Sequence, residues 1–109
     1  MASKLKIIPI GGLNEIGKNL TVYEYGDDIL VVDCGLGFPD EEMYGIDIVI
    51  PDFTYLVQNK NRIRAIVLTH GHEDHIGGLP YLMREVEAPL YTTRLTAGLI
   101  ESKLEEHGL

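Results

Sequence analysis

Ala65-Ile66-Val67-Leu68-Thr69-His70-Gly71-His72-Glu73-Asp74-His75-Ile76-Gly77-Gly78 is the stretch whose reading decides the fold. Its first five residues form a continuous apolar, β-branched run, the pattern of a strand buried on both faces. The next six place four metal-grade ligands, His70, His72, Asp74 and His75, in one short loop. Side chains alternate along an extended backbone, so His70 and His72 fall on the same side. Asp74 and His75 arrive where the chain turns into a helix, and they point differently. One pair can hold one cation and the other pair a second. Neutral imidazole and carboxylate oxygen are the usual ligands of zinc, and also of manganese. A single small cation needs only about four donors, so four in one loop with more from elsewhere point to two ions. Two ions roughly 3.5–4 Å apart share a water, lower its pKa and clamp a phosphoryl or carbonyl group.

Working outward, Ile76, Leu79, Tyr81, Leu82, Met83 and Val86 are spaced as a helix with an apolar side. Gly77 and Gly78 are poor helix formers and read as letting the first turn approach the metal loop closely. Pro80 fits an early helical turn, where its missing N–H costs nothing. The ligands therefore sit at the carboxyl end of a buried strand, where α/β sheets place their sites. Upstream, Leu5 to Ile10 reads as a first strand. Leu20 to Tyr25 and Ile29 to Asp33 read as a hairpin joined around Gly26-Asp27. Residues 35–51 are Gly- and acid-rich and read as loop, with a short extended piece at Ile48 to Ile50. Asp52 is placed to cap a helix from Phe53 to about Asn59. Downstream, Leu90-Tyr91-Thr92 reads as a strand. Thr93 then caps a final helix whose Leu95, Leu99, Ile100 and Leu104 line an apolar side.

These residues carry a family resemblance. Thr69 to Gly78 resembles the second motif of the metallo-β-lactamase superfamily, and Val31-Val32-Asp33-Cys34-Gly35 resembles its first, a strand ending in aspartate and glycine. Gly11-Gly12-Leu13-Asn14-Glu15-Ile16-Gly17-Lys18-Asn19 and the segment Gly45 to Leu56 resemble the bacterial ribonuclease J family, in the β-CASP branch of that superfamily. So does the closing run from Leu95 to Leu109. The resemblance implies an α/β fold, a metallo-β-lactamase-like αββα sandwich of which these residues are the amino-terminal half. The β-CASP domain and later ligands are expected outside this chain.

What the resemblance implies chemically is a metal-dependent ribonuclease, acting as a 5′-to-3′ exonuclease and an endonuclease by two-metal phosphodiester hydrolysis. His70 and His72 would hold one ion, and Asp74 and His75 the other. Asp74 would also orient the attacking water or take its proton. Asp33 would orient a ligand histidine from behind. The cofactors implied are two divalent cations, zinc first, with manganese or magnesium as alternatives, and the partner is RNA. A thioesterase or lactonase on small molecules is the rival reading, and the segments around Asn14 and Asp52 argue against it. The 109 residues by themselves are expected to lack substantial activity, because at least half the donors are absent.

Composition is that of a globular domain, with 45% hydrophobic and 24% charged residues. No apolar run reaches the length of a membrane span, and Met1-Ala2-Ser3-Lys4 leads into a strand rather than a signal peptide. Cys34 is the single cysteine, which fits a reducing compartment, and a cytoplasmic protein is expected. Cys34 reads as a small buried apolar residue rather than a nucleophile or ligand. The net charge of −8 runs against the basic face of most nucleic-acid binders, so composition votes against a nuclease and the motifs outvote it. Glu73 reads as pointing away from the metals and His107 as a helix cap. Gly11, Gly12 and Gly17 read as turns, since their spacing matches no nucleotide-binding fingerprint. An apolar sheet face left uncovered is expected to make the chain self-associate as a homo-oligomer.

Overall fold

Sheet order and chain order coincide: β1 (Leu5–Gly11), β2 (Leu20–Tyr25), β3 (Asp28–Val32), β4 (Ile63–Val67) and β5 (Leu90–Tyr91) lie side by side in that sequence. The computed structural model describes residues 4–11, 18–37 and 50–109, without the side chains of Glu73 and Asp74. The readings of residues 12–17 and of the piece at Ile48–Val49 lie outside the described residues, as does that of the Glu73 side chain. β1, β2 and β3 form an antiparallel meander, and β3, β4 and β5 are parallel. The β2–β3 turn falls on Gly26-Asp27, where Gly26 takes φ 59°, a left-handed geometry open to a residue without a Cβ.

Parallel neighbours require crossovers. The first carries α1 (Thr54–Gln58) and a 3₁₀ turn at Lys60–Arg62, and the second carries α2 (Glu73–Ile76) and α3 (Leu79–Met83). α4 (Arg94–Glu106) follows β5. Right-handed crossovers advancing in one direction across a sheet lay their helices on the same face. Here that yields one core: Leu20, Val22, Ile29, Val31 and Ile66 of the sheet pack with Leu56, Ile76, Leu79, Leu82 and Ile100 of the helices. The opposite face, bearing Leu5, Ile7, Tyr25, Leu30 and Tyr91, is exposed.

Four local readings shift. β4 begins at Ile63 and ends at Val67, and it is not buried on both faces: Arg64 is exposed and bonds Asp28 at 2.6 Å, and Val67 is half-buried on the open side. The helix read from Ile76 onward is two short helices, broken at Gly77-Gly78, with Pro80 in the first turn of α3. α1 has Phe53 as its cap residue, but the Asp52 carboxylate still accepts from the Thr54 N–H at 2.9 Å, an Asx turn one residue early. In α4 the buried positions are Thr96 and Ile100, with Leu104 half-buried, whereas Leu95 is 80% and Leu99 48% exposed. Residues four apart share a helix face, and Leu95 and Leu99 stand one position, about 100°, off that stripe.

Both ends of α4 are fastened as their residue types suggest. Thr93 Oγ1 accepts from Thr96 N–H at 3.3 Å at the start. At the other end, with His107 as cap, Gly108 at φ 75° donates to the Glu105 carbonyl and Leu109 N–H to the Leu104 carbonyl. This pair of bonds is a Schellman motif. His107 also packs against the Tyr81 ring at 5.2 Å between centroids, and its carbonyl accepts from Arg84 at 3.3 Å, which ties α4 to α3.

Candidate metal centre

Two strand ends build the site. β3 and β4 are parallel neighbours, so their carboxyl ends finish side by side, and the chain leaves each in a loop. At the end of β3, Asp33 takes φ 64°, a left-handed conformation that aspartate tolerates better than most residues. Its N–H donates to the Val67 carbonyl at 2.7 Å, so the residue stays hooked to β4 after β3 has ended. The turn carries its carboxylate under the loop that follows β4.

That carboxylate is 7% exposed and well bonded. Asp33 Oδ1 accepts from the Thr69 N–H at 2.8 Å, and the Thr69 hydroxyl lies 2.9 Å from Oδ1 and 2.8 Å from Oδ2. Asp33 Oδ2 is 2.9 Å from His75 Nδ1. A buried charge requires such partners, because each unsatisfied lone pair would carry a desolvation cost.

Above it stand the imidazoles. The rings of His70 and His72 are 6.3 Å apart and inclined by only 22°, a stacked pair. His70 and His75 are closer, 4.6 Å between centroids. His70 and His72 are exposed, and His75 is half-buried against Asp33. Asp74 lies in α2, and its side chain is outside the described residues. Among the described residues no three histidine, cysteine, aspartate or glutamate side chains close into one metal-binding group. The donor chemistry nonetheless fits a divalent cation: three imidazoles gather at one loop, and one is backed by a buried carboxylate, the usual support of a metal-ligating histidine.

The loop is held from two sides. Gly78 donates to the Cys34 carbonyl at 2.9 Å, and Cys34 N–H donates to the His75 carbonyl at 2.7 Å. A Cβ on Gly78 would stand 2.5 Å from the Gly35 carbonyl oxygen, so this close approach of α3 to the β3 loop requires glycine. On the far side a Cβ on Gly71 would meet Leu99 of α4 at 2.6 Å. Cys34 is fully buried, and burial, helped by the charge of Asp33, pushes its thiol far above the usual range. Such a thiol is neither a nucleophile nor a ready ligand.

Sequence reading missed Thr69 as a member of this cluster. It treated the residue as the last position of an apolar strand. The available signal was a hydroxyl placed immediately before the first histidine. A separate wide cleft of about 680 Å³, lined by Lys60, Arg84, Glu85 and Glu87 among others, opens beside Ile63 at the other end of β4 and contains no imidazole.

Known ribonucleases resemble this chain along almost its whole length. Ribonuclease J 1 of Streptococcus pyogenes is 51% identical over 98% of this chain and 19% of its own length. Ribonuclease J of Thermus thermophilus is 54% identical over 96% of this chain and 19% of its own. Ribonuclease J2 of Bacillus subtilis is 51% identical over 95% of this chain, again 19% of its own. The chain thus spans about a fifth of the length of these curated relatives. The family model described as the metallo-beta-lactamase superfamily matches residues 13–107, which include Asp33 and the whole loop from His70 to His75. By that match, with the paired strand ends and the histidine loop between them, the chain belongs to the metallo-beta-lactamase superfamily.

Proposed function

We propose that this chain carries part of the dinuclear centre of a metal-dependent ribonuclease that cuts RNA as a 5′-to-3′ exonuclease and an endonuclease. The observation that supports it most is the buried Asp33 carboxylate braced against His75 beneath the exposed rings of His70 and His72. The similarity to three ribonucleases J supports RNA as the substrate. In this reading His70 and His72 hold one ion, and Asp74 and His75 the second. When bound, two divalent cations, zinc first and manganese or magnesium as alternatives, supply an acidified water and neutralise charge on the phosphoryl oxygens. Asp74 orients the attacking water and takes its proton. Asp33 fixes the direction of His75. The same reading places the protein in the cytoplasm, where a lone thiol such as Cys34 stays reduced.

The remaining four-fifths of the relatives has no counterpart in these 109 residues, so the chain by itself is expected to bind metal weakly and to leave RNA uncut. A chimera tests both halves of the reading. Residues 1–109 replace the matching segment of the Thermus thermophilus enzyme, and the product is incubated with 5′-monophosphorylated RNA and, separately, with a thioester. RNA cleavage that disappears in His72→Ala is the expected result. Thioester turnover without RNA cleavage would overturn the proposal, and robust RNA cleavage by the 109-residue chain alone would overturn the expectation that it is inactive by itself.

A further inference from the structure

We infer that Thr69 is a positioning residue: its hydroxyl relays the Asp33 carboxylate to His70, so that one buried carboxylate selects the ring nitrogen presented by two histidines. The argument is a count of hydrogens. An ionised carboxylate only accepts, and a threonine hydroxyl has one hydrogen to give. Thr69 Oγ1 lies 2.8 Å from Asp33 Oδ2 and 2.9 Å from Oδ1, so its hydrogen is directed to Asp33; otherwise its oxygen would face two carboxylate oxygens across part-buried contacts with no hydrogen between them. The same oxygen lies 2.9 Å from His70 Nδ1. With its one hydrogen committed, Thr69 Oγ1 can only accept there. His70 Nδ1 therefore carries the hydrogen, and its lone pair is on Nε2.

His75 reaches the same state by a shorter route. Its Nδ1 is 2.9 Å from Asp33 Oδ2 and 3.5 Å from Thr69 Oγ1, so its hydrogen goes directly to the carboxylate. Both rings thus keep the hydrogen on Nδ1 and the lone pair on Nε2 before any ion arrives. The Thr69 backbone secures the relay, since its N–H donates to Asp33 Oδ1 at 2.8 Å and leaves the side chain only a small range of positions. Serine preserves every part of this arrangement. Valine preserves the shape and removes the oxygen.

The inference rests on the metal-site reading for its purpose but not for its test. Long-range proton–nitrogen NMR of the ¹⁵N-labelled, metal-free chain, recorded at about pH 8, above the model imidazole value of about 6.5, reports which nitrogen of each ring is protonated. In the wild type both His70 and His75 are expected as the Nδ1–H form. In Thr69→Val, His70 loses that form while His75 keeps it, and Thr69→Ser restores His70. A wild-type His70 protonated at Nε2, or a His70 unchanged by Thr69→Val, would overturn the relay; the wild-type spectrum decides even where the variant fails to fold. Zinc titration of the same samples separates the two claims. Undiminished zinc binding by His70→Ala would remove the metal-site reading and leave the relay standing, and with metal bound Thr69→Val is expected to weaken affinity about 10-fold.

Discussion

Glu24 shows at the scale of a single residue how a buried charge is made acceptable. It is 5% exposed on the core face of β2, where the Tyr55 hydroxyl donates to it and Arg62 and Lys6 lie 3.2 and 3.6 Å away. The Tyr55 hydrogen bond is the largest influence holding its carboxyl below the ordinary range; burial opposes it, and Arg62 and then Lys6 assist. A carboxylate whose folded value is lowered stabilises the fold above its unfolded value, about pH 4.3, and that contribution is lost as pH falls through the lowered folded value. Tyr55→Phe should therefore cost about 1.5 kcal/mol at pH 7, the scale of a hydrogen bond to a charged group. Urea unfolding at pH 7 and at pH 3 should show the gap between wild type and variant narrowing at the lower pH. A gap of equal size at both would show that Glu24 ionisation is not its source. None of this was legible in the sequence, because Tyr55 and Arg62 are 31 and 38 positions from Glu24 and nothing local marks the pairing. Thr69 stands 36 positions from Asp33 and was missed in the same way, whereas His70, His72 and His75 lie close together in the chain and announce themselves, and Asp33 was reached only through the family resemblance.

At the scale of elements, what sequence exposes is whatever depends on near neighbours. The Gly26-Asp27 turn, the two strands it joins and the Thr93 cap follow from local chemistry and stand where residue types put them. The break between α2 and α3 does not, because it is set by a contact across the fold. α3 must come within hydrogen-bond distance of the β3 loop, and Gly78 permits it with its N–H on the Cys34 carbonyl. The missing side chain, rather than helix propensity, is the reason for glycine there. Gly78→Ala would drive a methyl toward the Gly35 carbonyl oxygen, 2.5 Å away, and that neighbour is backbone with little room to yield. The expected cost is about 1–3 kcal/mol, the range for overpacking a tight site, read as a lowered melting temperature. Gly98, in α4 with nothing within 4 Å of its added Cβ, is the control: Gly98→Ala should raise stability by about 1 kcal/mol through helix propensity. Equal effects at the two glycines would show that contact across the fold does not matter at Gly78. The face of α4 was misread for a related reason, since its apolar residues form two stripes and only packing against the sheet and the metal loop chooses between them.

For the molecule as a whole, the open sheet face sets the behaviour. Leu5, Ile7, Tyr23, Tyr25 and Leu30 share that face, because residues paired across neighbouring strands point the same way: Leu5 with Tyr25, Ile7 with Tyr23, Tyr23 with Leu30. Leu5 and Ile7 are 61% and 59% exposed. A contiguous apolar patch of this kind is expected to drive association. Edge pairing is the weaker route to a homo-oligomer, since Pro9 in β1 has no N–H to offer and β5 is two residues long. Face-to-face stacking of two sheets needs no edge donors and buries the tyrosines and aliphatics together. Opposing it is the net charge of −8, whose repulsion acts at low ionic strength and is screened at high salt. Association should therefore strengthen with salt, the reverse of a contact held by ion pairs. Sedimentation of the chain over a concentration series at low and at high salt should show a mass that rises with both. Ile7→Lys, which plants a charge in the patch beside Tyr23 without touching the helical core, should return it to monomer with unchanged helix content. A chain that stays monomeric throughout would mean that the exposed face is not adhesive, and a mass that falls with salt would assign the contact to charge instead.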